Sequence, residues 1–389
     1  MKKFKLIRIT TVPISLEKLL EGQLQFMKDY FEVTAISSEK EQLEKFGKKE
    51  GVSTFYIPLT RKITPLKDLL AVWKLYKFLI KDKPQIVHSH TPKAGIVSML
   101  AAYLAKVPNR LHTVAGLPLL ETKGLKRKIL NSVEKLTYRF ATKVYPNSQG
   151  LYQITIDEKF TKPSKLKLIG NGSSNGIDTA YFSPKHFTNE DLKEKRKELQ
   201  IPGSDFVFVF VGRLVGDKGI NELIKAFEKL QNEFQNCSLL LVGPFEDDLD
   251  PILIKTKISI KKKEKIILTG YQEDVRIYYA MSDVFVFPSY REGFPNVVMQ
   301  AGAMDLPSIV TDINGCNEII NDGENGWIIP VKDEMSLFNA MQNCLLNKQQ
   351  VLKLAQNARE LITTRYAQQK VWDAILEEYK RLEIELNLK

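Results

Sequence analysis

The sequence predicts an α/β protein made of two doubly wound, Rossmann-like domains. Three observations carry that expectation. Short apolar, β-branched runs alternate with segments of helical period up to about residue 170, and the alternation restarts near residue 206. The run Phe-Val-Phe-Val-Phe-Val at 206–211 is continuously apolar, the pattern of a parallel strand buried on both faces. At 389 residues the chain is long enough for two domains of ordinary size.

The bulk composition is globular, with 43% apolar and 26% charged residues. Cys237, Cys316 and Cys344 are widely spaced and form neither a metal spacing nor a disulfide framework, which suits a reducing cytosol. No apolar run approaches the length of a membrane span, and Arg8 interrupts the first apolar stretch, so the N-terminus reads as a β-strand and not as a signal peptide. The charge is uneven. Up to Lys185 there are 32 Lys and Arg against 15 Asp and Glu, and the remainder has 25 against 31. A basic first half facing an anionic partner is the direct reading: nucleic acid, an anionic bilayer or an anionic substrate. Nucleic acid finds no zinc-finger or RNP motif to support it.

In the first half, strands are expected at 5–10, 31–36, 54–58, 85–88, 110–114, 143–145 and 165–169. A helix over 66–80 places Leu66, Leu69, Leu70, Trp73, Tyr76, Leu79 and Ile80 on roughly one face, its apolar stripe. A helix over 126–140 turns Ile129, Leu130, Val133, Leu136 and Phe140 inward. Lys67, Lys74, Lys77 and Lys81 lie largely off the first stripe. Lys123, Lys126, Arg127 and Lys128 open the second helix, where cations oppose the helix dipole and so point to an anionic partner, a membrane surface above all. The alternative is an ordinary solvated face.

The loop His88-Ser89-His90-Thr91-Pro92-Lys93 follows a strand and precedes an apolar helix over 96–106. His90, Thr91 and Lys93 are suited to positioning hydroxyls and phosphates, whereas two histidines without a nearby Asp or Cys make a poor metal site. A second strand end carries Gly116 and Pro118. His112 lies within that strand and reads as a packed residue in the first instance, with an acceptor-side role as the alternative.

The polar, Gly-rich segment 170–182 closes the first domain. The boundary is expected between Ser183 and Gly203, giving domains 1–185 and 186–371, with the end of the helical tail, about 372–389, packing back on the first. The tail's stripe is Val371, Trp372, Ile375, Leu376 and Tyr379.

In the second half, strands are expected at 206–211, 238–242, 265–269, 283–287 and 307–311. The first runs into Gly212-Arg213-Leu214-Val215-Gly216-Asp217-Lys218-Gly219, ahead of a helix over 220–230. Glycines allow close approach of backbone to a phosphate, and Arg213 and Lys218 supply fixed positive charge. This is neither the dinucleotide fingerprint nor a Walker loop. Two further strand ends, at Gly243 and Tyr271, belong to the same edge. The acidic run 246–250 reads as a solvated loop. Arg291-Glu292-Gly293-Phe294-Pro295-Asn296 follows the strand at 283–287 and enters a helix over 297–305, placing the Glu292 carboxylate where open α/β sheets bind ligands.

With these motifs in view, the chain resembles the family 4 glycosyltransferases of GT-B fold, in which two Rossmann-like domains face an interdomain cleft. Gly212-Arg213 through Lys218-Gly219 resembles the family's G-R…K-G loop, Arg291 to Asn296 the start of its E-x7-E motif, and Asn175-Gly176-Ile177-Asp178…Phe182 its N-G-[IV]-D…F run. The resemblance covers nearly the whole chain. It is nearest to bacterial capsule and surface-polysaccharide transferases through V-H-S-H-T-P-K-A-G, T-V-A-G-L-P and G-S-S-N-G-I-D.

The resemblance implies a donor site of Gly212, Arg213, Lys218, Gly243, Tyr271, Glu292, Gly293, Phe294, Pro295, Asn296 and Gln300, with Glu292, Arg213 and Lys218 catalytic. It implies an acceptor side of His90, Thr91, Lys93, His112 and Gly116. It further implies a UDP-sugar donor as substrate, no cofactor, no metal, a lipid-diphosphate-linked acceptor and a place on the inner face of the cell membrane. Two positions depart from the family pattern. Gln300 stands where the second Glu of E-x7-E holds the ribose, keeping an acceptor oxygen without the charge. Ala115 stands where many relatives carry a His near the reacting sugar. Two alternatives follow: a sugar-nucleotide epimerase on the same fold, or a non-catalytic subunit that binds a sugar nucleotide.

Overall fold

The computed structural model describes residues 3–60, 64–117, 119, 122–246 and 250–388. Pro118 and the middle of the acidic run, Asp247 and Asp248, lie outside the described residues. The chain divides into two compact units, Met1–Asn175 with Gln369–Lys389, and Gly176–Gln368.

The first unit holds a six-stranded sheet of β1 (Lys5–Ile9), β2 (Glu32–Ser37), β3 (Ser53–Tyr56), β4 (Ile86–His90), β5 (Asn109–Val114) and β6 (Lys143–Pro146). Every pairing is parallel, in the order β3-β2-β1-β4-β5-β6. The strand order reverses between β1 and β4, the switch point at which such sheets leave a crevice beyond the strands' carboxyl ends. One sheet face packs on the helices Pro65–Asp82, Pro92–Leu104 and Gly124–Phe140 through Val87, Val97, Val114 and Leu75. The other packs on the C-terminal helix Gln368–Asn387, whose Val371, Ile375, Tyr379 and Leu382 join Leu6, Ile86 and Leu111.

The second unit repeats the plan with β7 (Phe206–Val211), β8 (Cys237–Val242), β9 (Ile266–Gly270), β10 (Val284–Phe287), β11 (Ser308–Thr311) and β12 (Gly326–Ile329). The order β12-β11-β10-β7-β8-β9 is again all parallel, with its switch point between β7 and β10. β7 is buried at all six positions, as its unbroken apolar sequence requires.

Four expectations are corrected. The break between units falls at 175/176, ahead of the expected 185/186. Ile177 is buried in the second core and exchanges backbone hydrogen bonds with Tyr366 and Gln368, while Arg359 donates to the carbonyls of Thr179 and Phe182. Segment 165–169 makes only an isolated bridge from Leu166 to Val144 and is not a strand. β12 has no counterpart in the sequence reading. Both amphipathic helices of the first unit depart in part from the sequence reading: Tyr76, Leu79, Leu130 and Phe140 do pack on the core, and the rest of each stripe is shifted. In Pro65–Asp82 the buried residues are Ala71, Val72, Leu75 and Leu79, while Leu66, Leu69, Leu70 and Trp73 are each more than half exposed. In Gly124–Phe140 the buried residues are Glu134, Thr137 and Tyr138; Leu130 and Phe140 pack partly buried against the core as expected, whereas Ile129 and Leu136 are exposed, as is Leu125. In Pro65–Asp82 the small Ala71 and Val72 face the layer, which lets the neighbouring helix approach closely.

Candidate active site

At the second switch point two loops are laced together. The loop after β7 passes through a short 3-10 turn, Gly216–Lys218, into the helix Ile220–Glu233. Gly219 sits at φ 71°, and a Cβ there would lie 2.1 Å from the carbonyl oxygen of Pro288, so only glycine brings this turn against the end of β10. Gly243, at φ 147°, lies against Gly212, whose N–H donates to Val242 at 2.9 Å. The N–H of Tyr290 donates to the Asp217 carbonyl at 2.8 Å, and Asp250 accepts from the N–H of Asp217 at 2.6 Å, giving that part of the acidic run a structural task.

The close approach brings the predicted catalytic groups together. Lys218 Nζ donates to the Glu292 carboxylate, which also accepts from Ser289 Oγ at 3.1 Å. The two side chains are only 14% and 17% exposed, so the pair is shielded from water far more than an ordinary surface pair. Arg213 Nη1 donates to Glu246 at 2.7 Å in a more open setting, and Arg291 pairs with Asp217 at 2.8 Å. Three cation–carboxylate pairs thus border one loop. Behind them the Cys316 thiol is held well above its usual pKa, by burial first and then by the Glu292 charge, so it stays protonated and inert.

Asn314 Nδ2 donates to the carbonyl of Glu292 and, at 3.3 Å, to that of Gly293, fixing the backbone of the motif. Asn296 opens the helix Asn296–Ala303 with Pro295 at its cap position. Phe294 is buried and packs edge-on against Tyr366 at 5.2 Å, so its ring anchors the loop from within the core and is not presented as a ligand contact. Gln300 Oε1 accepts from the Tyr279 hydroxyl at 3.3 Å. Tyr271 is 71% exposed beyond β9.

In the first unit the expected acceptor-side residues divide. Thr91 follows β4 at φ 74°, ψ 142°, a conformation costly for a β-branched residue, and its hydroxyl meets that of Thr11 at 2.7 Å across the β1/β4 switch point. His90 lines a small cavity with His88, Arg8, Asn147 and Ser174. Gly116 follows β5 at φ 153°. His112 and Lys93 do not join them. His112 lies on the opposite sheet face, buried, with Nδ1 2.9 Å from Ser89 Oγ, and burial lowers its pKa to about 4. Lys93 is only 13% exposed and is tied to Asp68 of the neighbouring helix.

Of the basic cluster, Lys123, Lys126 and Lys128 are exposed. Arg127 is tied down by Glu158 at 2.7 Å, Asn131 at 2.8 Å and the Leu119 carbonyl at 2.8 Å, so it braces the helix start and is not a free surface cation. The residue that the sequence reading passed over is Arg8, noted there only as an interruption. An arginine in mid-strand between buried apolar neighbours was the available signal, since a buried charge demands partners.

Residues 191–361 match the family Glycosyl transferases group 1, and residues 19–148 match Glycosyl transferase 4-like. The chain is 31% identical over 376 residues to the capsular polysaccharide biosynthesis glycosyltransferase CapM of Staphylococcus aureus, covering 96% of each chain. It is 31% identical over 349 residues to the UDP-Gal:alpha-D-GlcNAc-diphosphoundecaprenol alpha-1,3-galactosyltransferase of Escherichia coli, covering 87% of each. The crystal structure of Anabaena HepE in complex with UDP superposes with a TM-score of 0.80 at 19% identity, covering 97% of this chain and all of that one.

Proposed function

This chain belongs to the group 1, type 4-like glycosyltransferases, and from that premise we propose that it is a retaining transferase that moves a hexose or N-acetylhexosamine from a UDP-sugar to a lipid-diphosphate-linked saccharide during surface-glycan synthesis. The observation that carries the reading is the Lys218–Glu292 pair at the carboxyl edge of β7 and β10. Support for the donor and acceptor classes comes from the names of the relatives, one of which uses UDP-Gal and a diphosphoundecaprenol-linked sugar.

The residues fit the charge changes of such a transfer. When the bond between the sugar's anomeric carbon and the diphosphate oxygen breaks, its electron pair passes to that oxygen. Arg213 and Lys218 meet the growing negative charge, a contribution that matters most where water is excluded. The diphosphate replaces carboxylates as the cations' partner: Lys218 exchanges Glu292, and Arg213 exchanges Glu246. Glu292, released from Lys218, accepts hydrogen bonds from sugar hydroxyls. The acceptor hydroxyl oxygen bonds to the anomeric carbon on the face the diphosphate leaves, and its proton passes to the departing phosphate oxygen. Since two side-chain cations supply the compensation, we read the transfer as independent of a divalent metal.

We further propose that the first unit rests on an anionic bilayer. The helices Pro65–Asp82, Pro92–Leu104 and Gly124–Phe140 pack side by side. They present Leu66, Leu69, Trp73, Leu104 and Leu125, all at least half exposed. Lys67, Lys77, Lys81, Lys123, Lys126 and Lys128 are exposed on the same layer. Apolar residues that enter the headgroup region, ringed by lysines that meet lipid phosphates, suit a peripheral membrane surface. No described helix is long and apolar enough to cross a membrane.

The testing experiment is a donor screen by ligand-induced thermal shift, followed by transfer to a lipid-diphosphate saccharide with and without EDTA. A true donor stabilises the fold. Transfer with retained anomeric configuration, unchanged by EDTA, supports the reading. Donor consumption without acceptor product sinks it.

A further inference from the structure

Arg8 is fully buried in mid-strand. Its Nη1 donates to the Tyr379 hydroxyl at 3.0 Å and its Nη2 lies 2.8 Å from His90 Nε2, while Nε has no partner. Neither contact is to an anion. Burial holds His88 and His90 well below the usual imidazole pKa, so both are neutral, and Arg8 adds to the effect. Tyr379 is pushed up to about 12 and keeps its proton. The nearest carboxylate along the helix Gln368–Asn387, Glu378, is taken by Tyr145, Lys167 and Arg381. The guanidinium is therefore a buried charge without a counter-charge among the described residues, an arrangement proteins seldom keep unless something outside the chain completes it.

The cavity beside it has a volume of about 20 Å³, space for a water or one atom of a larger group entering from its open side. Its wall includes Arg8, His90, Asn147 and Ser174, and no acidic residue. His90 Nδ1 is buried and unpartnered, as is Asn147 Oδ1, whose amide turns to offer its NH2 instead. Ser173, on the same wall, holds a left-handed backbone at φ 66°, the kind of local strain that fixed binding loops retain. A fixed cation with neutral hydrogen-bond donors around it matches a phosphoryl oxyanion.

We propose that this cavity of the first unit is a phosphoryl-binding site in which Arg8 supplies the counter-charge and His90 Nδ1–H a hydrogen bond. The anion class stands without the transferase reading. Assigning the phosphoryl group to the acceptor rests on that reading, whereas a free phosphate would make the site one of regulation.

The test is a titration with inorganic phosphate of the full chain saturated with UDP, which keeps phosphate off the donor loop. In the wild type, phosphate raises the melting temperature by about 3 °C or more. In Arg8→Met, checked for folding by circular dichroism, the shift is lost, and in Arg8→Lys the apparent affinity falls roughly tenfold. A lipid-diphosphate saccharide that competes with phosphate identifies the acceptor as the source. Binding of both together identifies free phosphate. No shift in the UDP-saturated wild type overturns the site whether or not the variants fold, and so does an equal shift in folded Arg8→Met. Because the readout needs no sugar transfer, its failure leaves the transferase reading standing, and an inactive enzyme that still binds phosphate here fails only that reading.

Discussion

Lys218 and Glu292 are 74 residues apart in sequence, yet the ammonium of one is hydrogen-bonded to the carboxylate of the other at the β7/β10 switch point. Neither loop reaches this geometry alone. Gly219 lets the first loop touch the Pro288 carbonyl, and Ser289 and Asn314 hold the second. The pair holds the cation at the carboxyl edge of the sheet, where the proposed diphosphate would meet it.

Lys218→Ala is expected to lower kcat by roughly 10²–10³-fold, since it removes a donor aimed at charge that develops in the transition state. Glu292→Ala should cut transfer far more than it weakens binding of free UDP, because its partner in the complex is the sugar. Steady-state transfer together with UDP titration separates the two effects. Equal losses of kcat and UDP affinity in Glu292→Ala would sink the assigned role.

Arg213 is restrained by Glu246. Glu246→Gln should therefore release the guanidinium and tighten UDP binding by about threefold, a small effect because the pair is substantially exposed. Arg213→Ala should weaken UDP binding by about tenfold. Calorimetric titration reads both.

The lysine and apolar contributions to membrane binding should be separable. Replacing Lys123, Lys126 and Lys128 by Gln should reduce co-sedimentation with anionic vesicles and weaken its salt dependence, at about 1 kcal/mol per lysine, with Lys67, Lys77 and Lys81 supplying the remainder. Leu66→Ser with Leu69→Ser should weaken binding to neutral and anionic vesicles alike. Unchanged sedimentation of both variants would count against the surface, whereas Arg127→Gln should act through stability because its side chain is already held.

Glu134 is buried in the helix Gly124–Phe140, and burial raises its pKa to about 7 from an ordinary 4.5. The folded state therefore holds this proton over a pH range in which the unfolded chain releases it. Stability from this group is full below pH 4.5, is lost as pH rises towards 7, and changes no further once the folded group also ionises. The loss is about 3 kcal/mol. Glu134→Gln should flatten that part of the stability–pH curve measured by urea unfolding, and an unaltered curve would refute the assignment.

Gly95→Ala should destabilise the first unit by about 1–3 kcal/mol, because the added methyl would meet His112 Cε1 at 2.6 Å in a packed layer. The companion variant His112→Ala should relieve the clash in the double mutant. A wild-type melting temperature in Gly95→Ala would show that the layer yields more easily than its packing implies.

The alternation of strands and helices was legible in the sequence because strands buried on both faces leave continuous apolar runs. The G-R…K-G and E-G-F-P-N motifs singled out the two loops that meet at the second switch point, but not the contact between Lys218 and Glu292, which depends on chain reversal there. Helix orientation was misread where both sides of the helix carry apolar residues. In Pro65–Asp82 the bulky stripe of Leu66, Leu69 and Trp73 outranked Ala71, Val72 and Leu75, although it is the small residues that fit the packed layer. β12 is a four-residue edge strand that starts on Gly326 directly after the polar turn 321–325, so it reads as a continuation of the loop. Arg8 was visible as an oddity, but its partners lie at positions 90 and 379, and no local pattern joins them.

The return of the helix Gln368–Asn387 to the first unit has a consequence for biosynthesis. Val371, Ile375 and Tyr379 leave the ribosome after the whole of the second unit, so the N-terminal sheet emerges with one apolar face uncovered. The nascent N-terminal portion must be shielded while translation continues, and it closes only once the helix Gln368–Asn387 has emerged. A ribosome-bound chain extended past residue 368 by an unstructured linker long enough to clear the exit tunnel should therefore hold a protease-sensitive N-terminal segment beside an already resistant second unit.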